Sequence, residues 1–183
     1  MKGLLLISLI LASSAYDRSG AVNYAYKYWD NPNHTCGKNN EACTPCAYYG
    51  NEHCGYSGLG GDCANFVSQC LVKGGGHEKL NTGFPCRGYP CGFEEPGAKN
   101  LGDCLKSKGW TSTCGKQLAP PSNIQKGDVL IYHATSCTDY SAHAVLVTIA
   151  GSVPKITCHS SQHKDIAYTY MTSKPYYQWL HKN

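Results

Sequence analysis

Charge is scarce in this chain, and what there is does not gather. Asp and Glu number 12 against 16 Lys and Arg, a formal net charge of +4, and the basic residues are scattered with no run of the kind that follows a phosphate backbone. Nucleic acid is therefore not expected as a partner, and the mild positive charge reads as ordinary solubility charge. Long apolar runs are equally scarce. After residue 15 no stretch approaches the roughly 20 residues needed to span a bilayer, and the last residues, His181-Lys182-Asn183, form no retention tetrapeptide or lipid-anchor tail, so no stable membrane anchor is expected. Internal repeats and low-complexity linkers are also missing, and 183 residues suit one domain.

The apolar run that does exist lies at the start. Lys2 is followed by GLLLISLILA and the small residues Ser13-Ser14-Ala15, the build of a cleavable secretory signal. The expectation is a signal over 1–15 and a single mature domain over 16–183. Its destination would be the cell exterior or the lumen of a lysosome- or phagosome-like compartment. Twelve cysteines agree with that route, since an oxidising compartment is where so many persist as disulfides. Asn33-His34-Thr35 is a glycosylation sequon, weak support for a secreted glycoprotein.

Periodicity divides the chain in two. SGAVNYAYKYWD places Ala21, Tyr24, Ala25 and Tyr28 on one helical face, with Asp17 or Ser19 to cap it. GGDCANFVSQCLVKGGG predicts a second helix, with Cys63, Phe66, Val67, Cys70 and Leu71 repeating at three and four residues, Asp62 as cap and Gly74 to Gly76 as stop. A short third helix fits Ala98 to Lys108, and residues 31–61 and 77–98 read as irregular. After Pro120-Pro121 the runs DVLIYHA, AHAVLVTIAG and KITCHSS predict three strands, while Tyr168 to Tyr177 fits a strand or a short helix. Helices first and a small antiparallel sheet afterwards is the α+β pattern.

Three residues suggest chemistry. Cys63 opens the second helix after a Gly-Gly-Asp turn, where unpaired amides and the helix dipole favour a thiolate. The same amides, those of Cys63 and Ala64 first, can hold an oxyanion, so Asp62 and Ala64 are the candidate substrate and oxyanion contacts. A disulfide half is the competing role for Cys63. His143, in SAHAVLV, is the candidate base, and His159, in ITCHSS on the next strand, can orient its imidazole. Asn65, Gln69, Ser160, Gln162 and Asp165 are alternatives for that orienting role.

DCANFVSQCLVKGG strongly resembles the nucleophile helix of bacterial putative amidase domains, relatives of NlpC-type and papain-like cysteine peptidases. YDRSGAVNYAYKYWDNPN is similar to the aromatic first helix of that family, KGDVLIYH to its Gly-Asp-Val strand, SAHAVLVT to its histidine strand and CHSSQHKD to its short His-Thr segment. The resemblance implies a papain-like or NlpC-like fold, Cys63 as nucleophile, His143 as general base and acid, His159 as orienting residue, and no metal or organic cofactor. It further implies a cysteine amidase acting on an amide or peptide bond of peptidoglycan, which together with the expected secretion suggests an antibacterial or feeding use; a monomer is expected. A protease on ordinary polypeptides and a non-catalytic secreted binding module are the alternatives. Asp62 matches the acidic residue before the nucleophile, and Gly127-Asp128 the turn into a strand, where a structural role is the better expectation. The chain departs from the family in its cysteine-dense loops and in residues 81–119, expected to line the cleft.

Setting Cys63 aside leaves an odd number of cysteines, so a second thiol is expected, at Cys70 on the buried face of the same helix. The other ten would form five bridges, each contributing about 2–4 kcal/mol. Cys43-Thr44-Pro45-Cys46 has zinc or redox spacing, yet it has no second close pair and lies in a loop-like stretch, so neither role is expected.

Overall fold

The computed structural model describes residues 15–30, 63–78, 80, 97–139, 142–159 and 162–183. Among the described residues, three α-helices precede a sheet. Helix α1 runs Arg18–Tyr28, α2 Cys63–Gln69 and α3 Ala98–Ser107. The strands are β1 Thr111–Lys116, β2 Val129–His133, β3 Ala142–Ile149, β4 Lys155–Cys158, β5 His163–Ala167 and β6 Tyr176–His181, in the order β1-β6-β2-β3-β4-β5 with every pair antiparallel. The α+β class thus holds, and the sheet has twice the three strands expected. β1 and β5 carry Thr, Cys, Lys and His at positions where an alternating apolar pattern would have marked them, while β6 lies at and beyond the end of the stretch read as strand or helix. Their pairing is set by neighbours distant in sequence, which no local window contains. The ambiguous 168–177 stretch divides into a 3₁₀ turn over Tyr168–Tyr170 and the start of β6.

Each face of the sheet has its own core. Across the central strands, Val129 pairs with Leu146 and Leu180, and Ile131 with Ala144 and Gln178. Their apolar members face the helices, packing with Phe66, Val67, Leu71, Leu101 and Leu105. The intervening residues face the other way. Leu130, Tyr132, Val145, Val147, Ile156, Tyr177 and Trp179 form a second cluster, covered by Leu118, Ile124, Tyr168, Tyr170 and Met171. Because β2 and β3 are covered on both faces, they read as continuous apolar runs and were recognisable.

α1 is capped as expected, by the Asp17 carboxylate accepting from the Gly20 amide at 2.9 Å. α2 continues into a π-helical turn over Cys70–Gly74, where Gly75 N–H donates to Cys70 O at 2.9 Å before the chain leaves through Gly76. The turn crosses α1 at glycine against glycine. A Cβ on Gly20 would meet Gly74 O at 2.2 Å, and one on Gly74 would meet Tyr24 Cβ at 2.5 Å, so neither tolerates a side chain.

The YDR and KGD segments interlock. Tyr16 Oη donates to Gly127 O at 2.7 Å, and Arg18 Nη1 donates to Asp128 Oδ1 at 2.5 Å. Asp128 Oδ2 accepts from Gln125 N and from His181 Nδ1, each at 2.7 Å. One fully buried carboxylate therefore joins α1, the turn into β2 and the end of β6, the structural role expected of Gly127-Asp128. Gly127 is required there, since its φ is +84° and a Cβ would approach Tyr16 Oη at 2.9 Å.

Cys114 and Cys137 form a disulfide, tying β1 to the loop after β2. Cys104 is also disulfide-bonded. Cys63, Cys70 and Cys158 are thiols, and Cys70 is wholly buried, as expected. The five-bridge expectation is corrected at Cys158. Facing the second core from β4, with its sulfur 3.5 Å from Tyr170 Oη, it is a third thiol. Twelve cysteines less three leaves nine, which can form at most four intrachain bridges. Residues 1–14 of the signal expected over 1–15, the Asn33 sequon, Asp62 and Cys43-Cys46 lie outside the described residues.

Candidate active site

Cys63 is the first residue of α2 and joins the helix-side core at 7% exposure, while Ala64 behind it is fully buried. All of α2 is buried, including its polar residues. Asn65 and Gln69 stabilise that burial across one helical turn, Gln69 Nε2 donating to Asn65 Oδ1 at 2.6 Å, and Tyr24 Oη on α1 donates to Gln69 Oε1 at 3.2 Å. These two candidates for the orienting role thus tie α2 to α1. Asp165 accepts from Tyr26 and Thr148, Gln162 is exposed, and Ser160 lies outside the described residues.

His159 follows β4 and faces the helices. Its ring stacks on Phe66 with centroids 4.0 Å apart and planes 15° from parallel, and its Nε2 lies 2.6 Å from Tyr28 O. Phe66 is one turn along α2 from Cys63, and residues at that spacing share a helix face. The structure therefore brings Cys63 and His159 to the same side of the sheet, against the same helix.

His143 is on the other side. It pairs with Tyr132 across β2 and β3, and the two rings lie 6.3 Å apart and nearly parallel on the face of the second core. Its neighbours Ala142 and Ala144 are the β3 residues that pack toward the helices. His143 Nε2 is buried with no hydrogen-bond partner among the described residues. Burial, with smaller contributions from nearby Lys174 and His163, pushes its pKa down to about 4, so the imidazole is neutral at neutral pH. In this arrangement the ring of His143 does not face Cys63.

A profile of known families decides where the chain belongs: the one described as "Putative amidase domain" matches residues 15–180. The chain is a member of that family. No curated protein and no solved structure matches it. The family supports hydrolase activity on amide bonds, and the match spans every element from α1 into β6.

Within this amidase-family chain, two further features were not legible in the sequence. One is the Tyr28 carbonyl against His159, a main-chain group that leaves no residue signature. The other is His133, fully buried at the end of β2, with Nδ1 3.1 Å from Asp139 O and Nε2 3.0 Å from Gln178 Oε1. Both its ring nitrogens are engaged, which marks it as a structural histidine. Burial also pushes the pKa of the Cys70 thiol up, keeping it protonated. Among the described residues no group of three or more His, Cys, Asp or Glu is arranged to hold a metal, and no helix is long and apolar enough to cross a membrane. A polar cavity of about 550 Å³ lies apart from Cys63, His143 and His159, bordered by Tyr16, Arg18, His77, Glu78 and His181. Its His77 is held on both sides, Nε2 accepting from Trp110 Nε1 at 3.0 Å and Nδ1 donating to Glu78 O at 2.9 Å.

Proposed function

We propose that the chain is a secreted cysteine amidase that cleaves an amide or peptide bond of peptidoglycan through an acyl-enzyme. The observation that carries this reading is the Cys63 thiol, held at the first residue of a buried helix, in a chain matched by an amidase family over residues 15–180. Papain-like hydrolases provide the mechanistic template. The Cys63 sulfur attacks the amide carbonyl, and main-chain amides at the start of α2, those of Cys63 and Ala64, donate to the oxyanion, with Asp62 beside the substrate. An imidazole takes the thiol proton and returns it to the leaving amine, after which water releases the acyl group. The residue pattern nominates His143 for that proton transfer and His159 for its support. No step requires a metal or organic cofactor.

The test is mass-spectrometric mapping of iodoacetamide-labelled cysteines in the native protein, alongside release of fragments from purified peptidoglycan. The expected result is fast labelling at Cys63 and loss of turnover by roughly a thousand-fold or more in Cys63→Ala, with the circular dichroism spectrum retained. Cys63 in a disulfide, or labelling no faster than a model thiol, would leave a secreted binding module. Cleavage of casein but not of peptidoglycan would make the chain a protease.

A further inference from the structure

We propose that the polar cavity between the start of α1 and the end of β6 is a binding site for a small organic carboxylate, such as the free end of a short peptide, built around His181, Arg18 and Lys182. The assignment does not depend on Cys63 and goes beyond the amidase reading. At about 550 Å³ the cavity has the size of a small-molecule site and is larger than an inorganic ion needs. His181 borders it and is 6% exposed. Paired with Arg18, the Asp128 carboxylate can only accept, so its 2.7 Å contact with His181 requires a proton on Nδ1. That leaves the Nε2 edge of the ring for the cavity, and Nε2 has no hydrogen-bond partner among the described residues.

Donors remain on the wall beside it. Arg18 uses three of the five N–H groups of a guanidinium: Nη1 donates to Asp128 Oδ1 at 2.5 Å and to Lys126 O at 3.2 Å, and Nη2 donates to Lys182 O. One N–H on Nη2 and the one on Nε are left. Lys182 Nζ donates to Lys108 O at 3.1 Å and keeps two of its three N–H groups. His181, once doubly protonated, adds Nε2–H, and Asp128 offsets its charge. The Tyr16 ring, with centroids 5.9 Å from His77 and 5.6 Å from Trp110, supplies a surface for the carbon skeleton.

Charge decides the sign of the ligand. Arg18 is balanced by Asp128, and Glu78 on the cavity border by Lys108 at 3.0 Å. The hydrogen bond from Lys108, followed by the charges of Lys108 and Lys182, holds the Glu78 carboxyl below the usual carboxylate range, so cationic charge prevails at this end. Lys182 is left over, joined by His181 on protonation, and the pair attracts an anion and repels an ammonium group. The Glu78 side chain, 65% exposed, opposes a doubly charged phosphate more than a singly charged carboxylate. His77 offers no further group, since both its ring nitrogens are engaged.

Titration of the full chain with N-acetylalanyl-alanine, followed in ¹H–¹⁵N spectra, tests the site. The amide signals of Gly76, His181 and Lys182 should shift and saturate, and in the complex both ring nitrogens of His181 should carry protons. Replacing the peptide's carboxylate by its amide should weaken binding by about tenfold or more, and so should Lys182→Met. That variant keeps the main-chain carbonyl that Arg18 uses, so the Asp128 ties survive it. Propionate separates the two sources of a carboxylate: weaker binding than the peptide assigns a peptide end, and equal binding a free organic acid. The proposal is overturned by the absence of a saturable shift, by shifts confined to α2 and His159, or by equal affinity for peptide and amide. Unchanged affinity in Lys182→Met, or tighter binding of inorganic phosphate, overturns it as well.

Discussion

The two faces of the sheet are built from different materials. The helix face adds polar ties and close backbone contact to its apolar core around Phe66, Leu101 and Leu105: the Asp128 carboxylate joins three segments, α1 meets the π turn at Gly20 and Gly74, and Tyr24 links to the Asn65-Gln69 pair. The outer face is held by aromatic rings. Tyr132 meets Tyr170 and Tyr177 edge to face at 5.7 and 5.4 Å, and Tyr168 lies 5.3 Å from Trp179, whose Nε1 donates to Leu118 O at 3.0 Å. The difference explains why similar residues behave differently on each side. His159 and the Cys63 thiol belong to a face tied by directed hydrogen bonds, which fix orientation. His143 and the Cys158 thiol are packed among aromatic rings, and His143 Nε2 is buried without a hydrogen-bond partner among the described residues, which disfavours its charged form.

The largest effect that would break this comparison is at Asp128. Asp128→Ala strands Arg18 and His181 beside a vacated buried site, and should lower unfolding free energy by about 3–5 kcal/mol in urea titrations. A change below about 1 kcal/mol would mean that packing, not the carboxylate, holds α1 on the sheet.

His143 gives the next effect, as pH dependence. Its pKa is about 4 in the folded state against 6.5 when exposed, so the unfolded chain binds the extra proton first as pH falls. Stability present above pH 6.5 is lost between 6.5 and 4, by about 3 kcal/mol in total from this group. His143→Phe removes a titrating group from that window, and thermal melts at pH 7 and 4.5 should differ less in the variant than in the parent. An equal difference in both would place His143 in contact with water. The smallest effect sharpens the outer face alone. Tyr132→Phe loses the 2.6 Å bond to Tyr168 O and should cost about 1 kcal/mol, with labelling at Cys63 unchanged.

Legibility followed how local each signal was. α1, α2, α3 and the apolar strands β2, β3 and β4 were readable because cap, periodicity and burial coincide within a short window. β1 and β5 were not, because polar strands are stabilised by partners far along the chain: Thr113 by Trp179, and Ile156 by Ile166. At the candidate site, Cys63, His143 and His159 were all nominated from residue type and order. The side of the sheet each would face was not, since alternation assigns residues to two faces without saying which face the helices cover.

By itself, then, the sequence determined the α+β class, the family resemblance and the helix that begins at Cys63, and it nominated a thiol and two imidazoles as candidates, because each of these is written in local motifs, spacing or period. Only the tertiary structure decided that Cys158 is a thiol, that Asp128 joins both ends of the domain, and that His159 shares the face of Cys63 while His143 does not. Those outcomes depend on strand register and on which face of the sheet the helices pack against, and both are set by contacts between residues that the chain keeps far apart.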